Sequence, residues 1–311
     1  MAIIKGTAIG LAVAALALLL WIGWLAYSNG PAALNLVDRL AGGGAQARRA
    51  AADVPFGDKG LRLDIWEPAS LVTPSPARPV VVFFYGGGWH SGARGDYGFA
   101  ARALAAQGFT VVVPDYRLVP NTVFPAYVQD SAAAVAWTQK NIGRYGGDAD
   151  RIMLAGHSAG AYNAAMVALD PTWLAAAGGD VQTIRGFAGL AGPYDFLPLE
   201  PGGSADKAMG MVQPIELTQP IRFARGDAPP MWLATGTVDT TVKPKNSRNL
   251  AAAISALGGR AVLREYADLG HSDIIMALAV PFRSKAPVHN DMAAALHAMA
   301  AQRPAKAVGT P

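Results

Sequence analysis

The chain has 311 residues, 52% hydrophobic and 15% charged, enough apolar material for a large packed core and too little charge for a disordered chain. Its formal net charge is +4 without any lysine or arginine run, which argues against a nucleic-acid binder. Cysteine is absent, so disulfides, thiol catalysis and cysteine-ligated metals are excluded.

Residues 6–27, GTAIGLAVAALALLLWIGWLAY, are uncharged and follow Lys5. At about 1.5 Å per residue such a helix crosses a hydrocarbon core of roughly 30 Å. Trp21, Trp24 and Tyr27 gather at one end, where aromatic rings favour the membrane–water interface. Residues 1–28 therefore read as a membrane anchor with one transmembrane helix; the alternative is a secretory signal peptide cut near Ala26, Tyr27 and Ser28, leaving a secreted protein. Lys5 argues for an amino terminus inside, whereas Arg39, Arg48 and Arg49 pull the other way. The expectation is that the bulk of the chain faces the periplasm or exterior of a bacterial-type inner membrane. Residues 29–52, with AGGGAQARR, read as a linker, 53–303 as one domain and 304–311 as a flexible tail.

From Asp53 onward the pattern is regular. Strand-like runs at 61–66, 80–85, 110–116, 151–156, 184–192, 230–236 and 261–267 alternate with helical patterns at 96–107, 126–144, 159–169, 244–257 and 289–302. Continuous apolar strands between amphipathic helices predict an α/β fold with a mostly parallel sheet covered on both faces. Residues 195–229 are rich in Pro, Gly and Met, lack periodicity, and read as a short lid.

The run RIMLAGHSAGAYNAAMVALD (151–170) holds G-x-S-x-G at 156–160, with a strand before it and a helix after it. That context predicts a nucleophile elbow, a strained turn that exposes Ser158. A serine hydroxyl needs an adjacent base. In this arrangement the acid and then the histidine follow along the chain. Asp239 in TGTVDTTVKP and His271 in YADLGHSD each come just after a predicted strand. Asp227, Asp195, His289 and His297 are the rivals, and His157 is expected to point away from the serine.

The stretch VVVFFYGGGWHSG (80–92) places three glycines after an apolar strand. Glycine costs conformational entropy, but bare backbone N–H groups at a strand end can meet an oxyanion, each donor being worth about 2.7–4 kcal/mol. Gly87 and Gly88, with the N–H of Ala159, are the predicted oxyanion hole. Tyr85, Trp89, Phe124, Tyr162 and Phe196 are candidates for the substrate pocket. Asp115 and Arg117 read as a local ion pair beside a strand end, and Asp130 as a residue on a helix face. No H-E-x-x-H, dinucleotide fingerprint or phosphate loop occurs, so neither cofactor nor metal is expected.

YGGGW, PDYRL, GHSAG, GTVDTTV and DLGHSD, in this order over roughly residues 53–300, resemble the α/β-hydrolase superfamily. The resemblance is greatest to its esterase branch related to hormone-sensitive lipase and to bacterial feruloyl-esterase-type and arylformamidase-like serine hydrolases. DVPFGDKGLRLDIWEP is similar to the opening strands of that group. The resemblance implies a Ser158–Asp239–His271 triad, an oxyanion hole from Gly87, Gly88 and Ala159, and cleavage of a small or medium carboxylic ester through an acyl-enzyme. The family usually carries His where this chain has Tyr85, a His that supports the loop. GHSAG in place of GDSAG inclines the resemblance toward the feruloyl-esterase and formamidase side. The alternatives are an arylformamidase acting on an N-formyl amide, a polysaccharide deacetylase on the same triad, and a catalytically dead binding module, against which the complete triad argues. The implied partners are a small-molecule ester and, through the N-terminal helix, a membrane.

Overall fold

The computed structural model describes residues 16–18, 20–70 and 76–302. Among the described residues, largely apolar runs, with the first strand richer in Ala and Arg, form one eight-stranded sheet. Its strands are β1 (Ala47–Phe56), β2 (Leu61–Pro68), β3 (Arg78–Phe84), β4 (Thr110–Pro114), β5 (Gly147–His157), β6 (Ile184–Leu190), β7 (Met231–Gly236) and β8 (Ala261–Tyr266). The order is β1-β2-β4-β3-β5-β6-β7-β8, antiparallel from β1 to β4 and parallel from β4 to β8. Val80, Val81 and Val82 of β3 and all of β4 are buried, as central strands covered on both faces must be. The flanking helices are α1 (Gly30–Leu40), α2 (Gly98–Ala105), α3 (Ala126–Asn141), α4 (Ala159–Leu169), α5 (Pro171–Ala176), α6 (Ser204–Met209), α7 (Lys245–Ala256), α8 (His271–Met276) and α9 (Val288–Ala300). This is the α/β-hydrolase fold. In such sheets the loops at the carboxyl ends of the strands converge, and β3, β5, β7 and β8 each lead there into one of the predicted site segments.

Residues 29–52 are not a flexible linker. They form α1 and the first half of β1. Asn29 caps α1, its Oδ1 accepting from the Ala32 N–H at 3.2 Å. Asp38, 1% exposed, accepts from Arg102 Nε of α2 at 3.0 Å and from the Val280 N–H at 2.9 Å. Arg48 and Arg49, which look like spacer charges in the sequence, pair with Glu67 and Asp64 on β2. These charges are satisfied across space, a pattern that local composition does not reveal.

Half of the predicted transmembrane helix, residues 6–15 and 19, lies outside the described residues. Residues 20–28 are helical, and the Asn29 N–H donates to the Leu25 carbonyl at 2.7 Å at the junction with α1. Among the described residues no helix is long and apolar enough to cross a membrane. The tail at 304–311 also lies outside the described residues.

The segment 195–229 contains α6 and two short 3-10 turns, Ile215–Thr218 and Pro220–Phe223. It is tied down by Asn246 Oδ1, which accepts from the Tyr194 and Asp195 N–H groups at 2.9 and 2.8 Å, and by Gln219 Oε1, which accepts from Phe196 N–H at 2.9 Å.

Candidate active site

At the end of β5 the chain turns sharply into α4. Ser158 sits at the corner with φ 54° and ψ −125°, a conformation rare outside glycine. Its N–H donates to the Leu190 carbonyl at 2.9 Å, and its carbonyl accepts from the Tyr162 N–H at 3.1 Å. A Cβ on Gly160 would overlap the carbonyl oxygens of Phe84 and Tyr85, and one on Gly156 would overlap the backbone of Gly160. Strand and helix therefore cross at a separation only bare Cα atoms allow, and the corner residue is pushed into the open.

Two other strand ends supply its partners. His271 opens α8 after β8, and its Nε2 lies 2.9 Å from Ser158 Oγ. Asp239 follows β7, with Oδ2 2.8 Å from His271 Nδ1. Its other oxygen accepts from the Thr241 and Val242 N–H groups at 2.9 and 2.8 Å. Asp239 is 3% exposed, so this carboxylate is buried yet fully hydrogen-bonded. With Nδ1–H given to Asp239, the lone pair of Nε2 faces the serine hydroxyl, the tautomer needed to accept its proton.

The glycine run lies alongside. Gly86 passes so close to the elbow that a Cβ there would stand 2.9 Å from His157 Nδ1 and 3.1 Å from the Tyr97 hydroxyl. Gly87 and Gly88 have φ of 139° and 59°, values that favour glycine. The Gly87 carbonyl closes the turn by accepting from the His90 and Ser91 N–H groups at 3.1 and 3.0 Å. Gly87, Gly88 and Ala159 line the same cleft of about 760 Å³ as Ser158 and His271. Trp89 is itself left-handed, φ 63°. Its indole N–H donates to Asn163 Oδ1 at 3.2 Å inside the protein, and its ring meets Tyr162 edge-on at 5.1 Å. The tryptophan after the glycines is thus a latch between this loop and α4.

Trp89 and Phe196 line the cleft; Tyr85, Phe124 and Tyr162 do not. Tyr85 stacks on Tyr116 at 4.5 Å and its ring meets Gly92, so it lies beneath the loop. Tyr162 is fully buried and donates to the Thr218 carbonyl at 2.7 Å. Phe124 packs on Tyr127 and Trp173. The residues missed are Leu197, Leu199 and Glu200 of the 195–229 segment and Thr240, Lys243 and Lys245 beyond Asp239. Their signal was position: Thr240, Lys243 and Lys245 follow the strand end that carries Asp239, and Leu197, Leu199 and Glu200 lie just beyond the pocket candidate Phe196.

Other expectations shift as well. Asp115 pairs with Arg94, and Arg117 with Asp130 of α3 at 2.8 Å, so Asp115 and Arg117 are not partners. Asp130 sits on a helix face as expected, on the buried side of α3, and grips Arg117 from there. His157 lines the cleft, and its ring is 4.9 Å from that of His271. Burial, and after it the neighbouring His271, hold its pKa well below the ordinary 6.5, so it is neutral. Asp227 pairs with Arg225, Asp195 accepts from Asn249, and His289 and His297 bond to the Ala103 and Gln107 carbonyls, all away from Ser158. Among the described residues no group of three or more His, Cys, Asp or Glu side chains is placed to hold a metal ion.

The BD-FAE family model matches residues 63–254. Esterase LipQ of Mycobacterium tuberculosis is 28% identical over 256 residues, 75% of this chain and 59% of that protein. Isoprenylcysteine alpha-carbonyl methylesterase ICME of Arabidopsis thaliana is 28% identical over 278 residues, 81% of this chain and 62% of that protein. The chain thus spans about three fifths of the length of these two curated relatives. Among solved structures, a truncated carbohydrate esterase from gut microbiota superposes with a TM-score of 0.69 at 18% identity, over 82% of this chain and 96% of that one, which speaks to a shared fold.

Proposed function

The chain belongs to the BD-FAE family of α/β-hydrolases, and from that premise we propose that it cleaves carboxylic esters of small or medium size through an acyl-enzyme on Ser158. Ser158 Oγ attacks the ester carbonyl as its proton passes to His271 Nε2. The carbonyl oxygen becomes an anion facing the N–H groups of Gly87, Gly88 and Ala159. Collapse expels the alcohol, protonated by His271. A water deprotonated by the same imidazole then releases the acid and frees the serine. Asp239 holds the ring in its tautomer and stabilises the imidazolium.

The observation that carries this reading is the chain of hydrogen bonds from Ser158 through His271 to Asp239, 2.9 and 2.8 Å, opening on a cleft. The apolar wall of Phe196, Leu197 and Leu199 supports a modest acyl or alkyl group, and the names of the relatives, esterases, support the ester. Initial rates on nitrophenyl esters of increasing acyl length, beside Ser158→Ala and with N-formylkynurenine in parallel, test it. Serine-dependent turnover that favours short esters is expected. Faster turnover of the formyl amide would replace the ester by an amide.

The same reading tethers the protein to a membrane through residues 6–27, with the cleft facing the periplasm or exterior. Leu20, Trp21, Trp24 and Tyr27 support it, since they are large apolar side chains 49–93% exposed on one helix. Retention of the full chain in the membrane fraction after an alkaline wash is expected; release would contradict the tether.

A further inference from the structure

The residue before the nucleophile has no part in the steps above, yet it touches three elements at once. His157 ends β5, is 5% exposed, and donates Nε2–H to the main-chain carbonyl of His271 at 3.2 Å. Its ring lies beside that of His271, with centroids 4.9 Å apart. Its Nδ1 is buried without a hydrogen-bond partner and faces Gly86, where a Cβ would come within 2.9 Å. The Tyr97 hydroxyl closes the same corner, 3.1 Å from that Cβ position.

A buried polar atom left unpaired is costly, so the placement of this ring calls for a compensating gain. The gain lies in what the other nitrogen holds. His271 is the first residue of a six-residue helix and is 15% exposed at its side chain. Its imidazole is fixed at Nδ1 by Asp239, but its backbone has to be set as well if Nε2 is to stay in line with Ser158 Oγ. The hydrogen bond from His157 does this from the strand that carries the serine. Nucleophile and base are thereby referenced to adjacent residues of one rigid strand.

We propose that His157 is a positioning residue: it ties the backbone of His271 to the nucleophile strand by its hydrogen bond and packs against the start of the glycine loop, so that base and serine keep one geometry beside the oxyanion donors. The proposal rests on the acyl-enzyme reading of Ser158. It also gives the first glycine of the run its reason, because only Gly86 leaves room for the clamp.

His157→Gln and His157→Asn separate the contact from its surroundings. The amide nitrogen of glutamine reaches the place of Nε2; that of asparagine reaches only the place of Nδ1. With short nitrophenyl esters, Gln is expected to keep kcat within about threefold of wild type, while Asn loses about ten- to hundredfold in kcat with KM nearly unchanged, as for a base displaced only in the transition state. Melting temperatures of both variants accompany the rates. Equal kcat in the two variants, fast or slow, would overturn the proposal. So would a loss falling on KM, or one that follows the melting temperature. Turnover that survives Ser158→Ala would instead sink the acyl-enzyme reading itself.

Discussion

The elbow at 156–160 and the glycine loop at 86–92 both depend on missing side chains for close backbone approach, but only the loop also needs them for its conformation. At the elbow Gly156 and Gly160 are needed for space: backbone meets backbone there, and neither has a left-handed φ. In the loop Gly87, Gly88 and Gly92 are needed for conformation, with φ of 139°, 59° and 95°, and a Cβ on Gly87 or Gly92 would overlap the Ser91 or Gly86 carbonyl oxygen as well. Each region then places one non-glycine residue in the left-handed region, Ser158 at φ 54° and Trp89 at φ 63°. Local strain of this kind persists only where neighbours over-determine it. Ser158 is held by backbone hydrogen bonds, Trp89 by its buried indole and the rings of Tyr127 and Tyr162. Glycine thus makes room in both places, while the strained side chain carries the role.

The comparison breaks first at the crossing. Gly160→Ala drives a methyl into two carbonyl oxygens of β3 and the loop after it, and is expected to cost about 3 kcal/mol or more, read by denaturant unfolding. A loss below about 1 kcal/mol would mean that strand and helix do not need their close approach. Gly88→Ala tests conformation instead: an L-residue at φ 59° costs about 1–2 kcal/mol, and the new methyl meets the His90 ring at 3.0 Å. Its mark is expected in kcat more than in stability, because the loop would move its N–H groups before it unfolded. Trp89→Phe keeps the ring and removes the indole donor. A fall of about tenfold in kcat is expected, with KM little changed, from loss of the latch to Asn163.

The smallest effect is on pH dependence. His157 is held well below 6.5, chiefly by burial, and so stays neutral in the folded protein while the unfolded chain takes up a proton below about pH 6.5. Stability from this residue is whole above that pH and falls as the pH drops, by at most about 1.4 kcal/mol per pH unit. His289, lowered mainly by burial, acts in the same direction. The melting temperature should fall between pH 7 and 5 accordingly, and His157→Gln should weaken that fall; an unchanged dependence on pH would mean that His157 is not the group responsible.

The strands from β2 onward and the proximity of Ser158, Asp239 and His271 were legible because each follows from a short apolar run ending in a polar turn. What lay beyond reach was facing. The candidate aromatics lie on loops beyond strand ends or, for Tyr162, on a helix buried along its whole length. Periodicity there does not tell which ring looks into the cleft, so Tyr85, Phe124 and Tyr162 could not be told apart from Trp89 and Phe196. Ion pairs were misread for a related reason: Asp115 and Arg117 are neighbours in the chain, but their partners, Arg94 and Asp130, come from other elements. The segment 29–52 looked like a spacer because Asp38 and Arg102, which dock α1, are 64 residues apart. His157 adjoins the serine in the chain without a role there, and only the approach of the His271 loop gives it a task.

The central claim is that Ser158 is the residue made nucleophilic by His271. The most direct measurement is the intact mass of the protein after treatment with a fluorophosphonate, followed by mapping of the labelled peptide, for wild type and Ser158→Ala side by side. One adduct on the peptide containing Ser158, and none on the variant, is the predicted result. An adduct that persists in Ser158→Ala, or a wild-type protein that hydrolyses esters yet stays unlabelled, would contradict it.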